Sequence, residues 1–242
     1  MSQVDELLAE HCPTGVETRD IGEVITALRT GLNPRANFQL NPAGATNLYI
    51  TVRELGGFNI RPSEKTDRVN DAGLEVIQRR SRLETGDVLF SGTGTIGRTA
   101  LVDGTPESWY IKEGVYALTL RRDVLDSRFF IYLLHSSPIR GAILAKADGS
   151  TVASISMASL RKIRIPVPPL EVQREIVRVL DQFTELEAEL EAELEAELEA
   201  RRRQYEHYRV ELIEHSQVGE KVSLGELESR GIVKLGRGKV IS

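Results

Sequence analysis

One run, residues 166–213, limits what this chain can fold into more than any other. It opens on three prolines in four positions, Pro166, Pro168 and Pro169. Each fixes its own φ and pushes the residue before it out of helical geometry, so a helix can start only after them. From Leu170 there is no Pro or Gly until Gly219, and Leu, Glu, Ala and Arg dominate. Those are strong helix formers. Apolar residues recur at Ile176, Val179, Leu180, Phe183, Leu186, Leu190, Leu194, Leu198, Tyr205, Tyr208 and Leu212, the spacing of one helical face. At about 1.5 Å per residue the run makes a rod of roughly 65 Å. A rod that long cannot bury its stripe against a small domain alone. It calls for a second helix.

Inside the rod the unit Leu-Glu-Ala-Glu repeats without variation from Leu186, Leu190 and Leu194, followed by Leu198-Glu199-Ala200. Four residues turn an α-helix about 40° past one full turn, so the leucine stripe winds slowly around the axis. Adding or removing one unit keeps the local pattern and changes the length by about 6 Å. Such a segment is a spacer whose length changes in quanta.

Charge divides the chain the same way. The net charge is -5, which argues against nucleic acid until it is apportioned. Residues 181–200 hold Asp181 and eight glutamates and no Lys or Arg; setting these aside leaves 31 basic against 27 acidic residues. The globular part is mildly basic and the rod carries the acid, which permits DNA binding. Cys12 is alone, which excludes a disulfide framework, and the four histidines show no metal spacing. No signal sequence or long apolar run is visible, so a cytoplasmic protein without a membrane segment is expected.

Along the chain, residues 1–10 read as a short amphipathic helix and residues 33–47 as a polar loop. Residues 47–53, 88–91, 99–102, 115–120 and 163–167 read as strands, and residues 69–77, 126–134, 139–146 and 158–160 as helices. Strands prevail up to about 120 and helices after it. The class is α+β, a globular domain of mixed strands and helices followed by a long helix. Domain boundaries are expected at 1–168, 169–215 and 216–242.

Gly92-Thr93-Gly94-Thr95-Ile96-Gly97 satisfies the G-x-G-x-x-G dinucleotide pattern after a strand. That fingerprint needs a helix to open there, to hold the pyrophosphate on its N-terminus. Here Thr99-Ala100-Leu101-Val102 follows and reads as a strand, so a glycine-rich connection is expected, with Ser91, Thr93, Thr95 and Arg98 as candidate donors to DNA. No catalytic constellation is visible, and the chain reads as a binder. Two rival classes stay open at this point: a coiled-coil adaptor without DNA specificity, and a nucleotide-binding enzyme built on residues 92–97.

Residues 83–102, LETGDVLFSGTGTIGRTALV, resemble a segment of the target-recognition domains of type I restriction–modification specificity subunits. Residues 148–183, DGSTVASISMASLRKIRIPVPPLEVQREIVRVLDQF, resemble the end of such a domain running into the family's spacer helix; the run P-P-L-x-x-Q-x-x-I-V-x-x-L is the more specific signal. The repeated unit is similar to tetrapeptide repeats in some members' spacers. The resemblance implies a non-catalytic subunit that binds no cofactor itself. It also implies double-stranded DNA and methyltransferase subunits as partners, with S-adenosylmethionine on the methyltransferase.

Family members usually carry two recognition domains and two spacer helices, whereas this chain has one of each plus a short tail. In that tail Leu224-Gly225-Glu226-Leu227 answers Ile21-Gly22-Glu23-Val24, and Gly236-Arg237-Gly238 answers Thr30-Gly31-Leu32, as though a second recognition domain began there. Two copies pairing their rods antiparallel would supply the missing half and read a symmetric, two-part site. The residues expected in that pairing are Ile176, Leu180, Phe183, Leu186, Leu190, Leu194, Leu198 and Tyr205. Those expected at DNA are Thr93, Arg98, Ser150 and Thr151 in the glycine-rich loops, with Arg35, Arg53 and Arg61 in the variable part, because Arg grips phosphate and reads guanine.

Overall fold

The computed structural model describes residues 2–34, 38–104, 109–149, 152–215 and 223–231. The chain falls into two compact units, Met1–Asp181 and Gln182–Ser242.

In the first unit, α1 (Gln3–His11) is started by a capping box in which Ser2 and Asp5 satisfy each other's backbone N–H groups. Then come β1 (Thr18–Asp20), a 3-10 turn (Ile21–Glu23), β2 (Ile25–Thr30), β3 (Asn47–Ile50), a second 3-10 turn (Val52–Glu54), β4 (Arg68–Val69) and α2 (Asp71–Ser81). After these come β5 (Val88–Ser91), β6 (Thr99–Leu101), β7 (Trp109–Ile111), β8 (Val115–Leu120), α3 (Ser127–His135), α4 (Ser137–Ala145), α5 (Met157–Arg161), β9 (Arg164–Pro166) and α6 (Leu170–His215). The α+β class expected from the sequence is what the elements form. The strand expected over 47–53 stops at Ile50, because Thr51 caps the 3-10 turn that follows. The helix expected from residue 69 starts later: Val69 belongs to the short strand Arg68–Val69, and α2 begins only after the Asn70 cap.

Two sheets pack face to face, and period-two alternation assigns each strand residue to a layer. The four-stranded sheet runs β2-β8-β5-β6, all antiparallel. Val88 and Phe90 of β5, with Tyr116, Leu118 and Leu120 of β8, face a core shared with Phe129, Phe130, Ile131 and Leu134 of α3. Leu89, Val115 and Ala117 point the other way and meet Ile50 and Ile111 of the three-stranded sheet β4-β3-β7. On the far side of that sheet Tyr49 and Tyr110 pack with Val69 and Ile77. Burial on both faces explains why β5 and β8 read as nearly continuous apolar runs.

The first turns of α6 belong to this unit. Val172 and Val177 are buried, and Val177 lies in the core shared with α3, each side chain contributing about 1.5–3 kcal/mol by its burial. Gln173 is fully buried, its amide spent on Asp126 N–H and on the carbonyls of Val124 and Pro168. In the second unit the remaining helical residues of α6 carry exposed apolar side chains from Phe183 to Leu212. There α7 (Leu224–Ser229) starts with a Ser223–Glu226 capping box, the local device that Asp20 and Glu23 form at the first 3-10 turn. The Leu224-Gly225-Glu226 echo of Ile21-Gly22-Glu23 thus extends to capping geometry. The second echo, at residues 236–238, lies outside the described residues.

Candidate nucleic-acid interface

The arrangement of the site starts from one parallel strand pair. β3 and β7 run side by side with Leu48, Tyr49 and Ile50 opposite Trp109, Tyr110 and Ile111. Parallel strands end at the same edge, so the residues that leave them, Thr51 to Glu54 and Lys112 to Gly114, arrive together. Lys112 N–H donates to Ile50 O at 2.9 Å and fixes that alignment. Gly31 lets β2 pass over the same edge: a Cβ there would sit 1.6 Å from Ile111 O.

The loop at residues 92–97 is tied to this edge. Gly92 donates to Gly114 O and accepts from Ile155 N–H, each at 2.8 Å. Its α-carbon lies against the Tyr116 ring, where a Cβ would come within 2.2 Å, so only glycine fits. Gly94 donates to Ala153 O, Gly97 to Ser91 O, and Arg98 to Ser91 Oγ. Those N–H groups, in the turn of a β5–β6 hairpin, are all consumed by acceptors of the chain itself, whereas a phosphate-binding loop must leave them open and lead into a helix. β6 pairs antiparallel with β5, as the sequence led one to expect, and the nucleotide-enzyme reading finds no support here.

A cleft of about 700 Å³ opens at this edge, lined among others by Asn33, Tyr49, Thr51, Arg53, Asp67, Thr93, Lys112 and Glu113. Arg53 sits in the 3-10 turn, more than half exposed. Glu54, next to it, is buried and accepts from Thr51 N–H at 2.8 Å, Thr51 Oγ1 at 2.7 Å and Thr66 Oγ1 at 3.2 Å. This buried hub makes the turn rigid. Arg98 is exposed, with Nη1 3.5 Å from Val52 O. Arg61 is exposed, its backbone N–H on Glu54 O at 2.8 Å and its side chain lying over Gly56. Thr93 stands at the loop tip, bridged to Ser154 and lying against Gly114. Arg53, Arg61 and Arg98 are therefore gathered around one 3-10 turn, beside the cleft that Arg53 and Thr93 line, from two stretches of sequence, residues 53–61 and 93–98. Arg35, Ser150 and Thr151 lie outside the described residues.

Lys112, Asp67 and Tyr49 also line the cleft, and none was singled out in the sequence. Lys112 comes beside Arg53 only through a parallel pairing some sixty residues apart, which leaves no local signal. Tyr49 donates its hydroxyl to Leu32 O at 2.6 Å. Burial first, and then the charges of Glu113 and Asp67, push its pKa well above the ordinary range, so it remains a protonated donor.

The helix residues divide. Ile176 is partly buried against the first core, and Leu180 is half-buried. Phe183, Leu186, Leu190, Leu194, Leu198 and Tyr205 are half or more exposed. Among the described residues no helix is long and apolar enough to cross a membrane.

The model of the type I restriction modification DNA specificity domain matches residues 13–200. The EcoR124I/EcoR124II specificity subunit of Escherichia coli is 40% identical over 160 residues, which is 62% of this chain and 39% of that protein. A putative type I restriction enzyme specificity subunit of Haemophilus influenzae is 28% identical over 201 residues, 83% of this chain and 48% of its own length. Among solved structures, a chain from a type I R-M system complex superposes with a TM-score of 0.58 at 27% identity, covering 81% of this chain and 47% of that one. The HsdS subunit of Thermoanaerobacter tengcongensis shares the fold at a TM-score of 0.53 and 23% identity, covering 78% and 44%. The chain spans about half or less of the length of these relatives. With its model matched from the N-terminal part of the first unit well into α6, the chain belongs to the type I restriction modification DNA specificity domain family.

Proposed function

We propose that this chain is the sequence-specific DNA-recognition component of a type I restriction–modification assembly, reading one half of a two-part site. The observation that carries the reading is the gathering of Arg53, Arg61 and Arg98 at one 3-10 turn, beside a cleft that Arg53 and Thr93 line, in a domain of this family. Arginines on a rigid turn supply phosphate charge and planar donors for base edges. The chain itself is non-catalytic: modification comes from methyltransferase subunits, which bind S-adenosylmethionine, and α6 contributes to their dock. The exposed stripe from Phe183 to Tyr205 pairs two copies antiparallel, so that a two-fold dimer reads inverted half-sites around an unspecified gap. Antiparallel pairing centred on this stripe sets Glu185 and Glu187 of one copy near Arg203 and Arg201 of the other.

The test is to co-express the chain with its methyltransferase subunit in a methylation-free host and map modified adenines genome-wide. A two-part motif with inverted halves is expected. Absence of any motif, with an active and bound methyltransferase, would overturn the reading in favour of an adaptor.

A further inference from the structure

Arg53 differs from the other arginines at the cleft, because one edge of its guanidinium is already held. Nη2 donates to Asp67 Oδ2 at 3.1 Å and Nε to Thr51 Oγ1 at 3.3 Å. Neither acceptor is free to turn away. Asp67 Oδ1 accepts from Asn41 Nδ2 at 2.8 Å. Asn41 is itself fixed: its backbone sits in the left-handed region at φ 55°, its N–H donates to Arg68 O, and its Oδ1 accepts from Arg68 N–H. A non-glycine residue holds that conformation only when its surroundings require it. Thr51 Oγ1 lies 2.7 Å from Glu54 Oε2. A carboxylate offers only acceptors, so the threonine proton goes to Glu54 and its lone pairs are left facing Arg53.

With Nε and one Nη2 proton engaged, the opposite edge of the guanidinium, Nη1 with the second Nη2 proton, makes no hydrogen bond among the described residues. That edge is a planar two-donor fork whose orientation is set before any ligand arrives. It matches the paired N7 and O6 acceptors of guanine in the major groove. Arg61 makes no side-chain hydrogen bond among the described residues and Arg98 makes one long contact; side chains that loose follow phosphate oxygens in any sequence.

We infer that Arg53 reads a guanine at one position of the half-site, with Asp67 and Thr51 as positioning residues that fix the plane of its fork. The inference rests on the DNA-recognition reading above and assigns the base and the residues that aim at it. Preorganisation makes the discrimination sharp, because the ordering cost is met before binding.

The test uses the full chain with its methyltransferase subunits and a randomised duplex DNA library, sequencing what is retained. In Arg53→Lys the charge persists and the fork is lost. Preference at one G·C pair is expected to fall about tenfold or more, with the rest of the motif and the melting temperature unchanged. In Asp67→Asn the amide oxygen turns to Asn41 and its NH₂ faces Arg53, donor against donor. The same base pair is expected to lose preference while Arg53 itself remains. If the wild-type chain selects a motif that both variants reproduce at every position, this inference fails and the DNA-recognition reading stands. If Asp67→Asn weakens all positions alike with a lowered melting temperature, Asp67 is merely structural and the inference is overturned. If the wild type selects no motif, both readings fall.

Discussion

Gln173 binds three backbone groups from two stretches of chain with one amide, and all of it is buried. Its Oε1 accepts from Asp126 N–H at 2.9 Å, while Nε2 donates to Val124 O at 2.8 Å and Pro168 O at 2.7 Å. Leucine is close in volume and can replace none of these bonds. Gln173→Leu is therefore expected to destabilise the first unit by about 2–4 kcal/mol, several times a single neutral hydrogen bond, because three backbone groups, one buried and two part-buried, lose their partner. Urea unfolding measures it; a loss below about 1 kcal/mol would mean water replaces the amide. The glutamine is legible in the sequence as part of P-P-L-x-x-Q, yet its task is not, since both partners outside the motif come from the turn before α3. Arg53, Arg61 and Arg98 were legible for a plainer reason, being basic residues in polar or glycine-rich stretches. Lys112 and Asp67 were not, because only strand pairing across the sheet brings them to the cleft.

At the level of elements, a second clamp locks the start of α6 to the rest of the first unit. Arg128 of α3 meets Asp181 through both Nε and Nη2, at 3.1 and 2.7 Å, and Tyr132 donates its hydroxyl to the same carboxylate at 2.7 Å. The Arg128 guanidinium also lies over the Phe58 ring, 4.7 Å from its centroid. Burial alone would raise the Asp181 pKa, but the bonds from Arg128 and Tyr132 outweigh it and hold the carboxyl below its ordinary value near 3.8. A depressed acid contributes stability that is present above about pH 4 and lost as pH falls through the lowered value. Both side chains are about a third or more exposed, so solvent screening limits the contribution to about 1 kcal/mol or less. Asp181→Asn is expected to lower the melting temperature at pH 7, the gap to wild type closing below pH 4. A gap independent of pH would mean the carboxylate charge is not what the clamp uses. The helix was visible in the sequence as a run free of Pro and Gly, but the division of its stripe was not. Ile176 and Phe183 occur at the same kind of spacing, and only the position of the core decides that one is covered and the other open. β1 and β2 escaped notice for a related reason. β1 pairs with β9, nearly 150 residues away, and most of β2 is only half-buried, so neither carries a strong alternation of its own.

For the molecule as a whole, the proposed dimer makes the gap between half-sites a property of rod length. Where two rods pair antiparallel over their full length, one added Leu-Glu-Ala-Glu unit in each copy lengthens the pair by about 6 Å. DNA rises about 3.4 Å per base pair, so translation alone asks for nearly two more base pairs. Rotation asks for less. Four residues add about 40° to the helix, while one base pair of a duplex with 10–10.5 per turn adds about 34–36°. The two demands disagree by less than one base pair, within the small bend and twist a duplex accepts. Inserting one unit after Glu197 is thus expected to widen the gap in the methylated motif by one or two base pairs and to leave both half-site sequences as they were, because no residue of the cleft is altered. Replacing Leu190 and Leu194 together by Glu places like charges along the stripe and is expected to abolish the two-part motif while the first unit unfolds at its usual temperature. Mapping methylated adenines with each variant gives both answers. A gap unchanged by the insertion, with the motif intact, would show that the spacing is set elsewhere than in the repeats.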